Sequence, residues 1–117
     1  MDIPTLYGIP NCDTMKQAFQ WLEGAHIAYN FHDYTKQTVE TDVVMLAIEQ
    51  YGWQEVINRK GTTWRKLPEN VKITMDVDQA LEIACQSPSI IKRPLLLYRQ
   101  QVYLGFKDGL YQDIFKT

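Results

Sequence analysis

The sequence predicts an α/β protein with a mixed four-stranded sheet, built from a βαβ unit, a helical insertion and a ββα unit. An apolar run at residues 3–9 is followed by a helical apolar pattern at residues 15–22. Residues 35–91 show amphipathic helix patterns and no strand pattern, and two short apolar runs close the chain. Helices are then expected to cover the faces of the sheet, because each element must bury its apolar side against another.

Composition places the chain among ordinary globular domains. It has 117 residues, of which 45% are hydrophobic and 22% are charged, with a net charge of −2. We expect one domain over residues 1–117, with residues 1–34 and 92–117 as the sheet core and residues 35–91 as the helical insert. The charge argues against a nucleic-acid binder, no apolar run could span a membrane, and no export signal is recognisable. We expect a cytoplasmic, monomeric protein.

The βαβ unit comes first in the chain. Gly24 is expected to end a helix over residues 13–23, and residues 27–32 alternate in size and polarity as a strand does. Two strands joined through a helix are expected to be parallel, with a right-handed crossover. His32 falls on the strand face opposite Phe31, so we expect it to be partly exposed and without a catalytic role.

Helical patterns fill the middle of the chain. One amphipathic helix ends at Gly52 and is expected to be capped by Thr41 or Asp42, and a later helix follows Asp76, its expected N-cap. Cys85 lies beside the apolar stripe of that later helix, so we expect it to be a structural cysteine; the alternative is a resolving thiol.

Two strands and a short helix complete the chain. Pro94 precedes an apolar run at residues 95–98, which is predicted to be a strand. Residues 102–104 are predicted to be a second strand that forms a hairpin with it. A last short helix is expected after Asp108.

Cys12 lies where the first strand ends and the first helix begins. The first N–H groups of a helix have no partners within the helix, and the helix dipole places partial positive charge there. A thiolate at that end is stabilised, so Cys12 is predicted to be a nucleophile near neutral pH. The alternative is an inert thiol, which is how most free cysteines behave. We expect no disulfide between Cys12 and Cys85, and no metal site, because the cysteines and histidines lack metal-ligand spacing.

Basic residues supply the other candidate chemistry. Arg59 lies in the helical block, Arg93 directly precedes Pro94, and Lys107 lies in the last loop. Each of them is alternatively a solvated surface charge. The basic cluster of the helical block is alternatively a solvated face or a patch for an acidic partner; it comprises Arg59, Lys60, Arg65 and Lys66.

Four separated segments together resemble the ArsC/Spx family, most closely its YffB-like branch. In chain order they are YGIPNCDT at residues 7–14, RKGTTWRKL at residues 59–67, IKRPLL at residues 91–96 and LGFK at residues 104–107. The resemblance covers nearly the whole chain. It implies a thioredoxin-like fold with a helical insertion, in which Cys12 is the catalytic nucleophile.

The resemblance also implies an anion-binding or glutathione-binding site, made by Asn11, Arg59, Arg93, Pro94 and Lys107. Arg59 and Arg93 match two of the three arginines at the oxyanion site of arsenate reductases, whereas the third position holds Lys107. Lysine is a point charge without the planar donor fork of arginine, so arsenate specificity is not expected. Pro94 matches the proline that thioredoxin-like folds hold in the cis form, which would aim Arg93 at Cys12.

A second departure separates the chain from the Spx regulators that switch by oxidation, which carry a Cys-x-x-Cys pair. Here Met15 stands at the fourth position, so Cys12 must be recycled by another thiol, either glutathione or a glutaredoxin-like protein. The resemblance implies a thiol-dependent reductase of a small oxyanion or a disulfide, with glutathione as co-substrate and no tightly bound cofactor. The alternative is a non-enzymatic regulatory or adaptor protein that binds a protein partner.

Overall fold

The computed structural model describes residues 2–107 and 109–116. The chain divides into two compact units: a sheet unit, which runs to Thr35 and resumes at Arg93, and a helical unit, Lys36–Lys92. The helical unit is thus displaced by one residue from the predicted insert, residues 35–91. That the two units act as one domain stays a prediction.

Within the described residues, four strands form the sheet, in the order β2-β1-β3-β4. They are β1, Thr5–Gly8; β2, Asn30–Asp33; β3, Leu95–Tyr98; and β4, Gln101–Leu104. β1 is parallel to β2 and antiparallel to β3, and β3 is antiparallel to β4. This confirms the parallel βαβ unit, the closing hairpin and the mixed, thioredoxin-like sheet that the sequence predicted.

The helices are α1, Asp13–Gly24; α2, Thr41–Tyr51; α3, Trp53–Val56; α4, Thr62–Arg65; α5, Glu69–Ile73; α6, Val77–Gln86; and α7, Leu110–Phe115. A turn of 3₁₀ helix, Pro88–Ile90, precedes β3. The last helix is present as predicted, and Asp108, after which it was expected to begin, lies outside the described residues. None of the helices in the described part of the chain combines the length and the apolar character that crossing a bilayer requires.

The second strand starts at Asn30 and not at residue 27, as the alternating pattern had suggested. The N–H groups of His26 and Ile27 donate to the carbonyls of Glu23 and Leu22, at 3.1 and 3.0 Å. Residues 26 and 27 therefore satisfy the last carbonyls of α1, and the chain becomes extended only after them.

The core of the sheet unit lies between the sheet and helices α1 and α7. Its fully buried members are Leu6, Met15, Ala18, Leu22, Leu96 and Tyr111. The Trp21 ring of α1 meets the Tyr111 ring of α7 edge-on at 5.7 Å and stacks on Phe115 at 5.9 Å. These contacts anchor α1 along its length, and the position of its first turn is fixed as a consequence.

His32 is buried, so the expectation of partial exposure is wrong. Its ring lies 5.0 Å from the ring of Tyr7, its partner on β1, and 5.7 Å from the ring of Tyr34. Alternation along a strand tells which side a residue faces, but not whether that side is covered. Here the two tyrosine rings cover it.

In the helical unit, the cap predicted for α6 is confirmed and the cap predicted for α2 is wrong. The Asp76 carboxylate accepts a hydrogen bond from the Gln79 N–H at 2.9 Å. The first turn of α2 is instead closed by the Glu40 carbonyl, which accepts from Val43 and Val44, so Glu40 is the N-cap and neither Thr41 nor Asp42 is.

Cys85 is exposed, which corrects its expected place beside a buried stripe. Ala80 and Ala84 form the buried face of α6. Cys85 follows Ala84 and is rotated from it by about 100° around the helix, which is enough to bring the thiol to the surface. Its sulfur lies 3.8 Å from the Thr41 hydroxyl oxygen.

Candidate active site

Cys12 is the N-cap residue of α1, between the end of β1 and the first turn of the helix. Its backbone is extended, with φ −148° and ψ 132°, and its carbonyl accepts the first helical hydrogen bond, from Lys16, at 2.9 Å. The side chain is partly buried. The thiol therefore lies at the positive end of a helix of 12 residues, as the sequence predicted.

The surroundings of the Cys12 sulfur favour its anion. Burial raises the pKa of the Cys12 thiol, but the N–H of Met15, the hydrogen bond from the Arg93 side chain, the N–H of Thr14 and the positive charge of Arg93 together bring that pKa below its usual value. The Cys12 side chain does not form a conventional helix-capping hydrogen bond. The N–H groups and the guanidinium lower the pKa because they stabilise the charged form of the sulfur, which is the form that reacts.

Arg93 reaches the sulfur from the start of β3. The Arg93–Pro94 peptide bond is cis, which confirms the prediction for this bond. Pro94 is buried, and its carbonyl accepts a hydrogen bond at 2.8 Å from the N–H of Gly105, which follows β4. The segment that carries Arg93 is thereby tied to the loop after the last strand.

Met15 and Gly8 pack against each other beneath the Cys12 turn. Met15 is fully buried. A Cβ atom on Gly8 would lie only 2.6 Å from the Met15 sulfur and 2.9 Å from its terminal methyl carbon. The bare Cα of Gly8 is therefore what allows Met15, whose N–H faces the Cys12 sulfur, to lie where it does.

Asn11 and Lys107 are both exposed. Asn11 directly precedes Cys12, and Lys107 follows Phe106, whose ring meets the buried Tyr111 ring edge-on at 4.8 Å. This contact holds the beginning of the loop that carries Lys107. A role for either side chain in binding an anion stays a prediction.

Arg59 lies in the helical unit, on the loop between α3 and α4, and is exposed. It lines a cavity of about 450 Å³, together with Gln54, Glu55, Ile57, Asn58, Lys60 and Lys92. That Arg59 serves the Cys12 thiol stays a prediction from the family resemblance. Sequence reasoning missed Lys92 as a neighbour of Arg59, because the two are far apart in the chain.

Both cysteines are free in this structure. In the part of the chain that the structure describes, histidine, cysteine and carboxylate side chains form no group able to hold a metal ion.

Comparison with known proteins gives relatives over almost the entire chain. A model of the ArsC family matches residues 7–114. An uncharacterized protein of Haemophilus influenzae is 39% identical over 111 residues, which cover 95% of this chain and 97% of that protein. The regulatory protein MgsR of Bacillus subtilis is 23% identical over 107 residues, covering 90% of this chain and 84% of MgsR.

Two solved structures are each 42% identical in sequence to this chain. A protein called YFFB superposes with a TM-score of 0.90, covering 94% of this chain and 96% of that chain. An arsenate reductase (ArsC) related protein from Brucella melitensis superposes with a TM-score of 0.76, covering 98% of this chain and 96% of that chain. The family match, the relatives and the fold agree: the chain belongs to the ArsC family.

Proposed function

We propose that this protein is a glutathione-dependent thiol reductase that uses Cys12 as its single nucleophile. The observation that carries the proposal is the Arg93 side chain hydrogen-bonded to a Cys12 sulfur that also faces the N–H groups of Met15 and Thr14. A buried structural thiol needs neither a guanidinium nor a helix N-terminus, whereas a nucleophile gains its reactive anion from both.

The substrate class that we favour is a glutathione mixed disulfide, RS–SG. The Cys12 thiolate attacks the glutathione sulfur, a new bond forms between the two sulfurs, and the RS⁻ anion leaves and takes a proton from water. A second glutathione thiolate then attacks the glutathione sulfur of the Cys12 adduct, which gives oxidised glutathione and restores the Cys12 thiolate. The sum is RS–SG + GSH → RSH + GSSG.

Arg93 has a role in both steps. Its guanidinium stabilises the Cys12 thiolate before attack and again when that thiolate becomes the leaving group. Asn11, Pro94, Lys107 and Arg59 are proposed to bind the anionic parts of the substrate and of glutathione. Because Lys107 replaces an arginine of the arsenate reductases, arsenate should be a poor substrate.

A glutaredoxin-like protein is the alternative recycling thiol. The second candidate function is a regulatory or adaptor protein that binds a protein partner, and the relationship to the regulatory protein MgsR favours it. We propose a cytoplasmic monomer for either function.

The test uses the Cys85→Ser protein, because the exposed Cys85 would otherwise react with an alkylating probe. We expect iodoacetamide alkylation of Cys12 to show an inflection below the usual thiol pKa, about 8.5. A glutathionylated peptide should be reduced in the presence of glutathione, with oxidised glutathione followed through NADPH and glutathione reductase. Arsenate should be turned over far more slowly.

The matched control is Cys12→Ser in the same background, which should leave only the uncatalysed rate. An alkylation inflection at or above about 8.5 would exclude the activated thiolate. Turnover that persists in Cys12→Ser, or arsenate reduction as fast as peptide reduction, would contradict the mechanism or the substrate class respectively.

A further inference from the structure

The first residues after β4 connect the start of β3 to the core of the sheet unit. The pairing of β3 with β4 ends at Leu95 and Leu104. One step beyond that pair, the Gly105 N–H donates to the Pro94 carbonyl at 2.8 Å, and Gly105, with φ 79°, lies in the left-handed region that favours glycine. The strand ends at this bond, and the next residue, Phe106, packs against the buried core of the sheet unit.

The ring of Tyr111 lies between this segment and the helix that begins after Cys12. Tyr111 is fully buried on α7, and the ring of Phe106 meets it edge-on at 4.8 Å. The ring of Trp21, on α1, meets it edge-on at 5.7 Å. The helix that carries the thiol and the segment bonded to Pro94 are therefore both packed against the same ring.

Packing of the ring, and not its hydroxyl group, fixes the position of Tyr111. The hydroxyl is buried and forms no hydrogen bond with the other residues that the structure describes. A buried hydroxyl without a partner costs free energy, so it cannot be what stabilises this side chain. Three aromatic rings surround Tyr111 instead, those of Trp21, Phe106 and Phe115.

We propose that Phe106 is a positioning residue for Arg93. Its contact with the Tyr111 ring fixes the segment that is hydrogen-bonded to Pro94, and Arg93 is the residue before Pro94. Because a hydrogen bond weakens steeply as its angle is lost, a small displacement of this segment weakens the bond from the Arg93 side chain to the Cys12 sulfur. The inference rests on the activated thiol of the proposed function and not on the substrate.

The test measures the pH profile of Cys12 alkylation by iodoacetamide, with the Cys85→Ser protein as the parent. Phe106→Leu removes the ring and should move the inflection to higher pH, and a rise of about half a pKa unit lowers the rate near neutral pH about threefold. Phe106→Tyr keeps an aromatic ring and should retain the parent profile. In an Arg93→Ala background, Phe106→Leu should cause no further shift, because the side chain that it positions is gone.

Phe115→Leu is the matched control for the loss of a ring. Phe115 is partly buried like Phe106, and its ring also meets the Tyr111 ring edge-on, at 6.2 Å. It packs on Tyr98, at 4.8 Å, which is the last residue of β3 and therefore at the other end of that strand from Pro94. Phe115→Leu should lower stability to urea about as much as Phe106→Leu and leave the alkylation profile unchanged.

Tyr111→Phe is the second control. It removes only the hydroxyl, so it should leave the alkylation profile unchanged and the stability equal or higher.

An unchanged profile in Phe106→Leu would overturn the positioning role. Equal shifts in Phe106→Leu and Phe115→Leu, or a full additional shift when Phe106→Leu is added to Arg93→Ala, would also overturn it. Failure of the proposed function appears separately: a parent with a lowered inflection but no turnover of the glutathionylated peptide contradicts that function, whereas the comparisons of the profiles decide the role of Phe106.

Discussion

Arg93 in the sheet unit differs from the cations of the helical unit in its burial and in the group that its charge acts on. Arg93 is partly buried at the start of a strand, and its side chain is engaged with the Cys12 sulfur. Arg59, Lys60 and Lys92 are exposed around a cavity, on a loop and a short bridge. The first arrangement acts on a group of the protein itself, whereas the second is open to an anion from outside.

The two units also differ in what fixes their site residues. Cys12 is positioned by a helix of 12 residues packed along its length on the sheet. The cavity is flanked by α3 and α4, of four residues each, which are far too short to be stable alone and depend on packing and loop hydrogen bonds. Substitutions around Cys12 in the sheet unit should therefore alter the reactivity of the thiol, and substitutions at the cavity should alter the affinity for a small anionic ligand.

The largest expected effect is a change in the reactivity of Cys12, which should depend on Arg93 and not on Arg59. Arg93→Ala in the Cys85→Ser background should raise the pKa of Cys12, because a hydrogen bond and a positive charge that favour its thiolate are lost. The alkylation rate near neutral pH should fall at least severalfold, because a smaller fraction of Cys12 is then present as the reactive thiolate. The pH profile of iodoacetamide alkylation measures this directly.

Arg59→Ala is the comparison. It should raise the KM for the glutathionylated peptide without shifting the pH profile of Cys12 alkylation. Arg93→Lys should lie between Arg93→Ala and the parent, because it keeps the charge and loses the planar donor geometry. If Arg59→Ala and Arg93→Ala shifted the profile equally, the distinction between the two kinds of charge would be wrong.

A smaller effect is expected at Gly8, which carries no chemical group of its own. Gly8→Ala should displace the buried Met15 and destabilise the protein by about 1–3 kcal/mol, as overpacking does. It should also raise the Cys12 pKa, because the N–H of Met15 faces the sulfur. Urea unfolding gives the first quantity and the alkylation pH profile gives the second.

Gly24→Ala is the matched control, since nothing lies within 4 Å of a Cβ at that end of the same helix. It should leave the thiol pKa unchanged and stability equal or slightly higher. Adding Met15→Val to Gly8→Ala should bring the pKa back towards that of the parent. A destabilised Gly8→Ala protein with an unchanged thiol pKa would reduce Gly8 to a packing role.

The parts of the fold that could be predicted depend on local signals. Cys12 at a strand–helix junction, the strand after Pro94 and the cap at Asp76 each follow from a few neighbouring residues. The cis bond before Pro94 came from the family resemblance, because sequence alone favours the trans form. The strand–helix junction at Cys12 and the cis bond before Pro94 are also the features that place the thiol and Arg93 together.

The parts that could not be predicted depend on distant contacts or on small rotations. His32 is buried because the rings of Tyr7 and Tyr34 lie against it. Cys85 is exposed because it lies one residue further around the helix than the buried Ala84. The pairing of Ile57 with Ile91 brings Lys92 beside the 58–61 loop across more than thirty residues of chain. Helices as short as α3 and α5 carry too few residues for a periodic signal.

The smallest expected effect tests whether a cap in the helical unit affects stability without affecting the thiol. Asp76→Ala removes the hydrogen bond to Gln79 N–H at the start of α6 and should lower the stability of that helix by about 1 kcal/mol. Asp78→Ala is the control, because Asp78 lies in the same first turn and loses only the weaker interaction with the helix dipole, a few tenths of a kcal/mol. Hydrogen exchange of the α6 amides should quicken about fivefold in Asp76→Ala, the rate change that corresponds to that free energy, and hardly at all in Asp78→Ala. The pH profile of Cys12 alkylation should be the same in both variants and in the parent, since the groups that shift the pKa of Cys12, namely Met15, Thr14 and Arg93, are unchanged. A shifted profile in Asp76→Ala would show that the thiol responds to the stability of α6, and the assignment of reactivity to the sheet unit alone would then be wrong.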